Sequence, residues 1–249
     1  MADSNRGFYA IIIFLCLILV GFALLRSDLF AVHAIEINGN RQVSSERILA
    51  LLGPVYGTNI WQLDTRTLAE RIRAEPWIDQ VHVRRKMPAV LQVSVVERAL
   101  AALVPYQGTY LAMDGQGVYL RSYDRIGAVS LPLVTGMQVM GAPQAGKSLE
   151  AKGLPVALAV IAALSPEVSA LVGEIHISGT NIYIYTREGV QVRVGDIGDL
   201  PRKLALLAGI YRQQRQEGNL WRIEYIDLRY PQAPALKYAP GRREERVRD

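Results

Sequence analysis

The hydropathy pattern opens on an unbroken apolar run, Phe8–Leu25, eighteen residues without a charge between Arg6 and Arg26. At a helical rise of about 1.5 Å per residue such a run reaches ~27 Å, close to the ~30 Å hydrocarbon core of a bilayer. It predicts a helix that crosses a membrane once. A cleaved leader has a shorter apolar stretch that ends at small residues, and Arg26-Ser27-Asp28-Leu29-Phe30 offers no such site. Long domains translocate largely regardless of charge, so the simplest topology is a stub over residues 1–7 inside, the span over 8–25, and everything beyond it outside.

After the span the pattern becomes that of a folded domain. Val32–Asn38 reads as a strand, with Ile35 and Ile37 alternating against Glu36, and Asn38-Gly39-Asn40 as a turn. Ser44 is a predicted N-cap for a helix with Ile48, Leu49, Leu51 and Leu52 on its apolar face, stopped at Gly53-Pro54. Asp64 is predicted to cap a second helix in which Leu68 and Ile72 fall four apart. From Ile78 the period drops to two: Val81 and Val83, a bend at Met87-Pro88, then Leu91, Val93 and Val95. Strand, helix, helix, strand, strand over residues 30–98 predicts a small α+β domain with both helices on one face of a three-stranded sheet.

The second region, residues 99–240, is predicted as a mixed β-sheet domain with flanking helices. Ala99–Val104 continues as a strand, and Thr109–Met113 and Val118–Ser122 form a hairpin around Asp114-Gly115-Gln116-Gly117. Leu131–Gly136 follows, then a helix at Leu154–Leu164 and strands at Glu174–Ser178, Asn181–Arg187 and Val190–Val194. A helix from Asp199 to about Gln216 points Leu204, Leu207, Ala208 and Tyr211 inward and is expected to hold Arg202, Lys203, Arg212 and Arg215 outward. Ile223–Leu228 and Ala235–Tyr238 are the last strand candidates, and residues 241–249 are a charged tail expected to stay mobile.

Composition narrows the chemistry. The net charge of +5 is too small and scattered to argue for nucleic acid. The single cysteine, Cys16, lies in the predicted span, so the outer part has no disulfide, thiolate nucleophile or cysteine metal site. His33, His82 and His176 show no metal-ligand spacing and read as surface residues; no serine has a nucleophile-elbow setting. Asp114-Gly115 and Asp196-Ile197-Gly198-Asp199 have the spacing of a turn and a helix cap. The basic run Arg84-Arg85-Lys86 reads as a solvated strand end beside a turn. No catalytic constellation, cofactor or metal is expected, and the chain is not expected to be an enzyme.

Several motifs, in their order, carry a resemblance: Ile37-Asn38-Gly39-Asn40, Gly57-Thr58-Asn59-Ile60, Pro76-Trp77-Ile78, Pro88 followed by alternation to Glu97-Arg98, the later Leu-Pro segment, and Ile226-Asp227-Leu228-Arg229-Tyr230-Pro231. Together they resemble the FtsQ/DivIB cell-division family, in which one membrane anchor precedes a POTRA domain and a β domain. Met87 and Leu100 depart from the usual residues at their positions. The resemblance implies a non-enzymatic scaffold at the division septum, in the plasma (inner) membrane with a cytoplasmic amino terminus. It also implies single-pass coiled-coil partners of the FtsB/DivIC and FtsL types and a link to the septal peptidoglycan synthase. The alternative is a POTRA-bearing translocation or chaperone component, a class that usually repeats the module and adds a β-barrel.

Pro231, Pro234 and Pro240 flank Ala235–Tyr238, and residues that cannot donate a backbone hydrogen bond suit a sheet edge. An edge is where an extended partner segment can add main-chain bonds. The family docks its FtsB/DivIC-type partner around its last strands, so Leu236, Lys237 and Tyr238 are the expected partner site. Tyr230 is added as an aromatic anchor, and Lys237 is expected to meet an acidic partner residue.

Overall fold

A computed structural model describes residues 2–127 and 129–239, apart from the side chains of residues 2–8, Ala10 and Leu24. The predicted tail 241–249 lies outside the described residues. The chain divides into two compact units, Met1–Arg98 and Ala99–Asp249. The apolar run falls in one continuous helix, α1 (Ala2–Leu25). Among the described residues no helix is long and apolar enough to cross a membrane, and the predicted span includes Phe8, Ala10 and Leu24, whose side chains lie outside that description.

The first unit then follows β1 (Ala34–Asn38), α2 (Ser45–Leu52), α3 (Thr65–Arg73), β2 (Ile78–Lys86) and β3 (Val90–Glu97). The sheet order is β1-β3-β2, with β3 central, parallel to β1 and antiparallel to β2. Each helix starts where a side chain replaces a missing backbone partner. The Ser44 hydroxyl accepts from Arg47 N at 3.2 Å, and the Asp64 carboxylate accepts from Arg66 N at 3.0 Å. Ile48, Leu52, Leu68 and Ile72 from the helices close on Val81, Leu91, Val93 and Val95 from the sheet in one buried cluster. Gly39 has φ +90°, and a Cβ there would run into the Val95 carbonyl, so the turn after β1 admits only glycine.

The first strand begins at Ala34, later than its predicted start at Val32, because the Val32 backbone is already engaged. Val32 N donates to Thr58 O at 3.0 Å and Gly57 N donates to Val32 O at 2.9 Å, tying the approach to the link between the helices. The basic run also has specific partners. Arg85 donates to Ile60 O at 2.9 Å and Leu63 O at 2.7 Å, clamping that link, and Lys86 pairs with Glu36 at 2.7 Å.

The second unit is built on one nine-stranded sheet. Its strands are β4 (Leu100–Tyr106), β5 (Thr109–Asp114), β6 (Tyr119–Tyr123), β7 (Leu133–Thr135), β10 (Val172–Ser178), β11 (Asn181–Thr186), β12 (Gln191–Gly195), β13 (Ile223–Asp227) and β14 (Ala235–Tyr238). Their order is β14-β13-β12-β11-β10-β7-β4-β5-β6. The three-residue β7 lies parallel to both β10 and β4 and so joins the two halves of the sheet, one antiparallel throughout and the other antiparallel except where β12 runs parallel to β13. A separate two-stranded ribbon pairs β8 (Gln138–Val139) with β9 (Ala151–Lys152). Helices α4 (Leu154–Ala163), α5 (Pro166–Leu171) and α6 (Leu200–Gln216) complete the unit. Ala157, Val160, Leu204 and Leu207 from α4 and α6 share a core with Ile175, Ile177, Ile182, Ile184, Val192 and Ile226 from the sheet. Neither the ribbon nor α5 is among the elements read from sequence.

Lys203 corrects the expected outward set on α6: it is only 2% exposed. Its ammonium donates to both the carbonyl and Oδ1 of Asp196 at 3.1 Å, so the charge is satisfied while its stem fills the interior. Asp196 also accepts from Gly198 N at 3.0 Å, whereas Asp199, the predicted cap, makes no side-chain cap bond and sits at φ +55°. At the Asp114 turn the carboxylate accepts from Gln116 N and Val118 N, both at 2.8 Å, which is turn chemistry as expected.

Candidate partner-binding site

The sheet of the second unit has two edges, and they differ. At β6 a neighbouring segment covers the start of the strand: Tyr119 N donates to Lys147 O at 2.9 Å and Gly146 N donates to Tyr119 O at 2.8 Å. At the other end β14 pairs antiparallel with β13 on its inner side, and among the described residues no strand lies on its outer side. Pro231 and Pro234 precede this strand, and their missing N–H groups suit the end of a sheet.

Pairing decides what each side chain of β14 does. Leu236 sits opposite the buried Ile226 and packs against the core. Lys237 sits opposite Tyr225 on the other face, with its ammonium 5.5 Å from the ring centroid and 3.0 Å from Glu224. The Tyr225 ring also carries the Arg193 guanidinium at 3.8 Å. The Tyr238 hydroxyl donates to Gln214 on α6 at 3.1 Å. Tyr230 is 67% exposed in the connection between β13 and β14. The strands run antiparallel, so Tyr230 lies near Ala235, while Tyr238 lies at the far end, about 10 Å along the strand. The structure therefore brings Leu236, Lys237 and Tyr238 onto one edge and leaves Tyr230 at its other end.

Sequence reasoning missed two neighbours of this edge. Trp221 is 79% exposed in the turn before β13, and the Arg222 guanidinium lies 5.9 Å from its ring and 6.0 Å from that of Tyr238. An aromatic-basic pair directly before a predicted strand was the signal available. Asp227 is also built into the edge: the Arg229 fork meets it at 2.6 Å, which outweighs burial and holds its carboxyl below the usual range, with Arg193 adding to the effect.

The outward face of the central strands carries a shallow depression of about 450 Å³ lined by His176, Tyr183, Tyr185, Arg193 and Arg229. His176 is half-buried here, with Nδ1 2.7 Å from the Thr135 hydroxyl, while His33 and His82 are exposed. Among the described residues no group of three or more His, Cys, Asp or Glu could hold a metal ion.

Comparison with known proteins places these features in a family. Residues 30–98 match the POTRA domain, FtsQ-type, and residues 102–229 match the C-terminal region of cell division protein FtsQ/DivIB. The chain is 34% identical over 210 residues to cell division protein FtsQ of Geobacter sp. (strain M21), covering 82% of this chain and 75% of that protein. It is 33% identical over 227 residues to FtsQ of Anaeromyxobacter sp. (strain K), covering 88% and 75%. A solved structure, the major extracytoplasmic domain of the cell division protein DivIB from Geobacillus stearothermophilus, is 18% identical with a TM-score of 0.34, covering 48% of this chain and 96% of that one.

Proposed function

Because the chain belongs to the FtsQ/DivIB family of bacterial cell-division proteins, we propose that it is a non-enzymatic, membrane-anchored scaffold that links other membrane proteins of the division machinery. Residues 8–25 are the anchor, within α1, residues 30–98 the POTRA domain, and residues 99–240 the domain that carries the partner site. The observation that supports the partner site is the contrast between the two sheet edges. The start of the β6 edge is covered by the segment around Lys147, while the whole outer side of β14 is open among the described residues. An open strand edge takes an extended segment through main-chain bonds, and a partner of the FtsB/DivIC type supplies it. Leu236, Lys237 and Tyr238 line that edge, and Tyr230 extends it at the β13 turn. Links to FtsL-type proteins and to the septal peptidoglycan synthase then follow through the assembled complex.

The test compares binding of an FtsB/DivIC-type partner to the full chain, to a chain ending at Ala239 and to one ending at Tyr230, each first checked for a cooperative melt. Loss of binding only in the Tyr230-terminated chain is the expected result. Equal affinity of that chain and the full one refutes the edge, and loss already at Ala239 moves the site into the tail. A fluorescent fusion spread evenly around the envelope at every stage of the cell cycle refutes the septal role.

A further inference from the structure

The outer end of α1 is bonded to the first unit. The Asn59 side chain donates to Leu25 O, the last carbonyl of the helix, at 2.7 Å. The chain that follows is zipped onto the same link: Ile60 N donates to Phe30 O at 2.7 Å, and Ala31 bridges Asn59. Residues 57–62 are thus held within a few residues of the point where the apolar run ends. Two large apolar side chains point to solvent there, Leu29 at 58% and Trp61 at 51% exposure. Leu25, Asn59, Trp61 and Gln62 line a notch of about 340 Å³ beside the helix end. Trp61 also packs against Phe30, with ring centroids 6.4 Å apart, and its loop is clamped from below by Arg85. A tryptophan fixed at this position has no core of its own to fill.

We propose that this face, led by Trp61 and Leu29, rests in the interfacial layer of the outer leaflet of the bilayer that α1 spans, so that the first unit is docked on the membrane and does not swing from it. The inference rests on the anchor reading given above. Tryptophan is enriched where an apolar ring meets lipid headgroups, and large exposed apolar side chains beside the end of an apolar helix suit the same layer. Covalent continuity names the occupant: three residues separate Leu25 from Leu29, and the Asn59 bond holds the loop against the helix end. Arg26 follows the helix end, its guanidinium lying 4.3 Å from the Phe22 ring one turn earlier, a cation–π contact that keeps the charge at the margin of the apolar run.

The test uses the full chain with Cys16→Ala, carrying one environment-sensitive fluorophore at Ile13→Cys, Gln62→Cys or Arg41→Cys. Each is reconstituted in phosphatidylcholine nanodiscs, and in phosphatidylethanolamine and phosphatidylglycerol nanodiscs, with and without a lipid-borne quencher. The quencher is placed either near the headgroup or deep in the acyl chains. Deep quenching at Ile13→Cys reports the anchor alone. Shallow quenching and a blue shift at Gln62→Cys, with neither at Arg41→Cys, are expected in both lipid mixtures. Quenching at Ile13→Cys without any at Gln62→Cys overturns the docking and leaves the anchor standing; no quenching at Ile13→Cys overturns the anchor. Adding Trp61→Ser and Leu29→Ser should relieve the quenching at Gln62→Cys. If that variant melts as before and stays fully quenched, the patch is not what holds the domain; if it does not fold, the parent protein's quenching pattern decides alone.

Discussion

Glu97, the last residue of β3, binds the loop between β1 and α2 through three backbone N–H groups: Arg41 at 2.8 Å, Gln42 at 2.8 Å and Val43 at 2.9 Å. Burial pushes the carboxyl up, but those three N–H groups and the Arg41 charge outweigh it and hold the group below the usual range. At face value three hydrogen bonds to a charged acceptor, at about 1.5–3 kcal/mol each, would total several kcal/mol. The bonds from Arg41 and Gln42 are exposed, so those N–H groups rehydrate when the carboxylate is removed, and only the one from Val43 is partly shielded. Glu97→Ala should therefore cost about 2 kcal/mol, and Glu97→Gln, which keeps one acceptor oxygen, about 1 kcal/mol. Urea denaturation of residues 30–98 measures both; with m of about 1 kcal/mol per M for so small a domain, the Ala midpoint falls by about 2 M. The pH arm has a definite sign. A carboxyl lowered in the folded state adds stability above its unfolded value, about 4.3, and loses it as pH falls through the lower folded value. The gap between the natural protein and Glu97→Gln should shrink on acidification below that point. A Glu97→Ala cost under about 0.5 kcal/mol at pH 7, or a gap that stays constant with pH, refutes the reasoning.

Residues 30–98 should melt cooperatively alone, because both helices and all three strands share one buried cluster; a broad, non-cooperative transition would show that the boundary at Arg98 is misplaced. Lys203→Ala should destabilise the second unit by about 2–4 kcal/mol, since it empties a buried stem and leaves the Asp196 carbonyl without its donor, while Lys203→Met should cost less; calorimetry on the full chain separates them. Tyr211 donates to the Thr186 hydroxyl at 2.6 Å, and burial, aided by the Glu188 charge, pushes its phenol up to about 12 against that bond. Stability should fall as pH rises from about 10, the unfolded value, through about 12, and Tyr211→Phe should cost about 1 kcal/mol near neutrality while removing this alkaline loss.

Local rules were enough for the first unit because its signals are local. Ser44 and Asp64 cap the helices they were predicted to cap, and the alternation of Val81, Val93 and Val95 puts the same residues in the core. The second unit depends on pairings between residues far apart in sequence. β7 is three residues long, too short for any period, yet it joins the two halves of the sheet, and Gly136 just beyond it sits so close to the Ile177 carbonyl that no Cβ fits. α5 carried a readable start in Ser165-Pro166-Glu167, with the Ser165 hydroxyl accepting from Val168 N at 3.3 Å, but too few apolar residues to show a face. As a charged residue Lys203 reads as outward. Its spacing from Leu200 and Leu207 already set it on the apolar stripe, and Asp196, seven residues earlier, supplies the partner that makes burial possible.

The β14 edge, the proposed partner site, divides along the same line. Its position was legible, because prolines that withhold backbone donors mark an edge whatever lies across it. Its side-chain chemistry was not, because the connection over residues 228–234 sets the register of Leu236 and Lys237 and an irregularity between Ile223 and Tyr225 shifts that of Tyr238, and no local pattern announces either. With that register Lys237 already meets Glu224 and the Tyr225 ring, Leu236 faces the core, and Tyr238 is bonded to Gln214. Three of the four predicted side chains are thus engaged within the domain before any partner arrives. What the edge still offers is its main chain, with Trp221 and Tyr230 exposed at opposite ends of the strand. Recognition there should depend more on the partner's ability to lie extended along β14 than on a charge facing Lys237, so Lys237→Ala should weaken binding far less than removal of the strand.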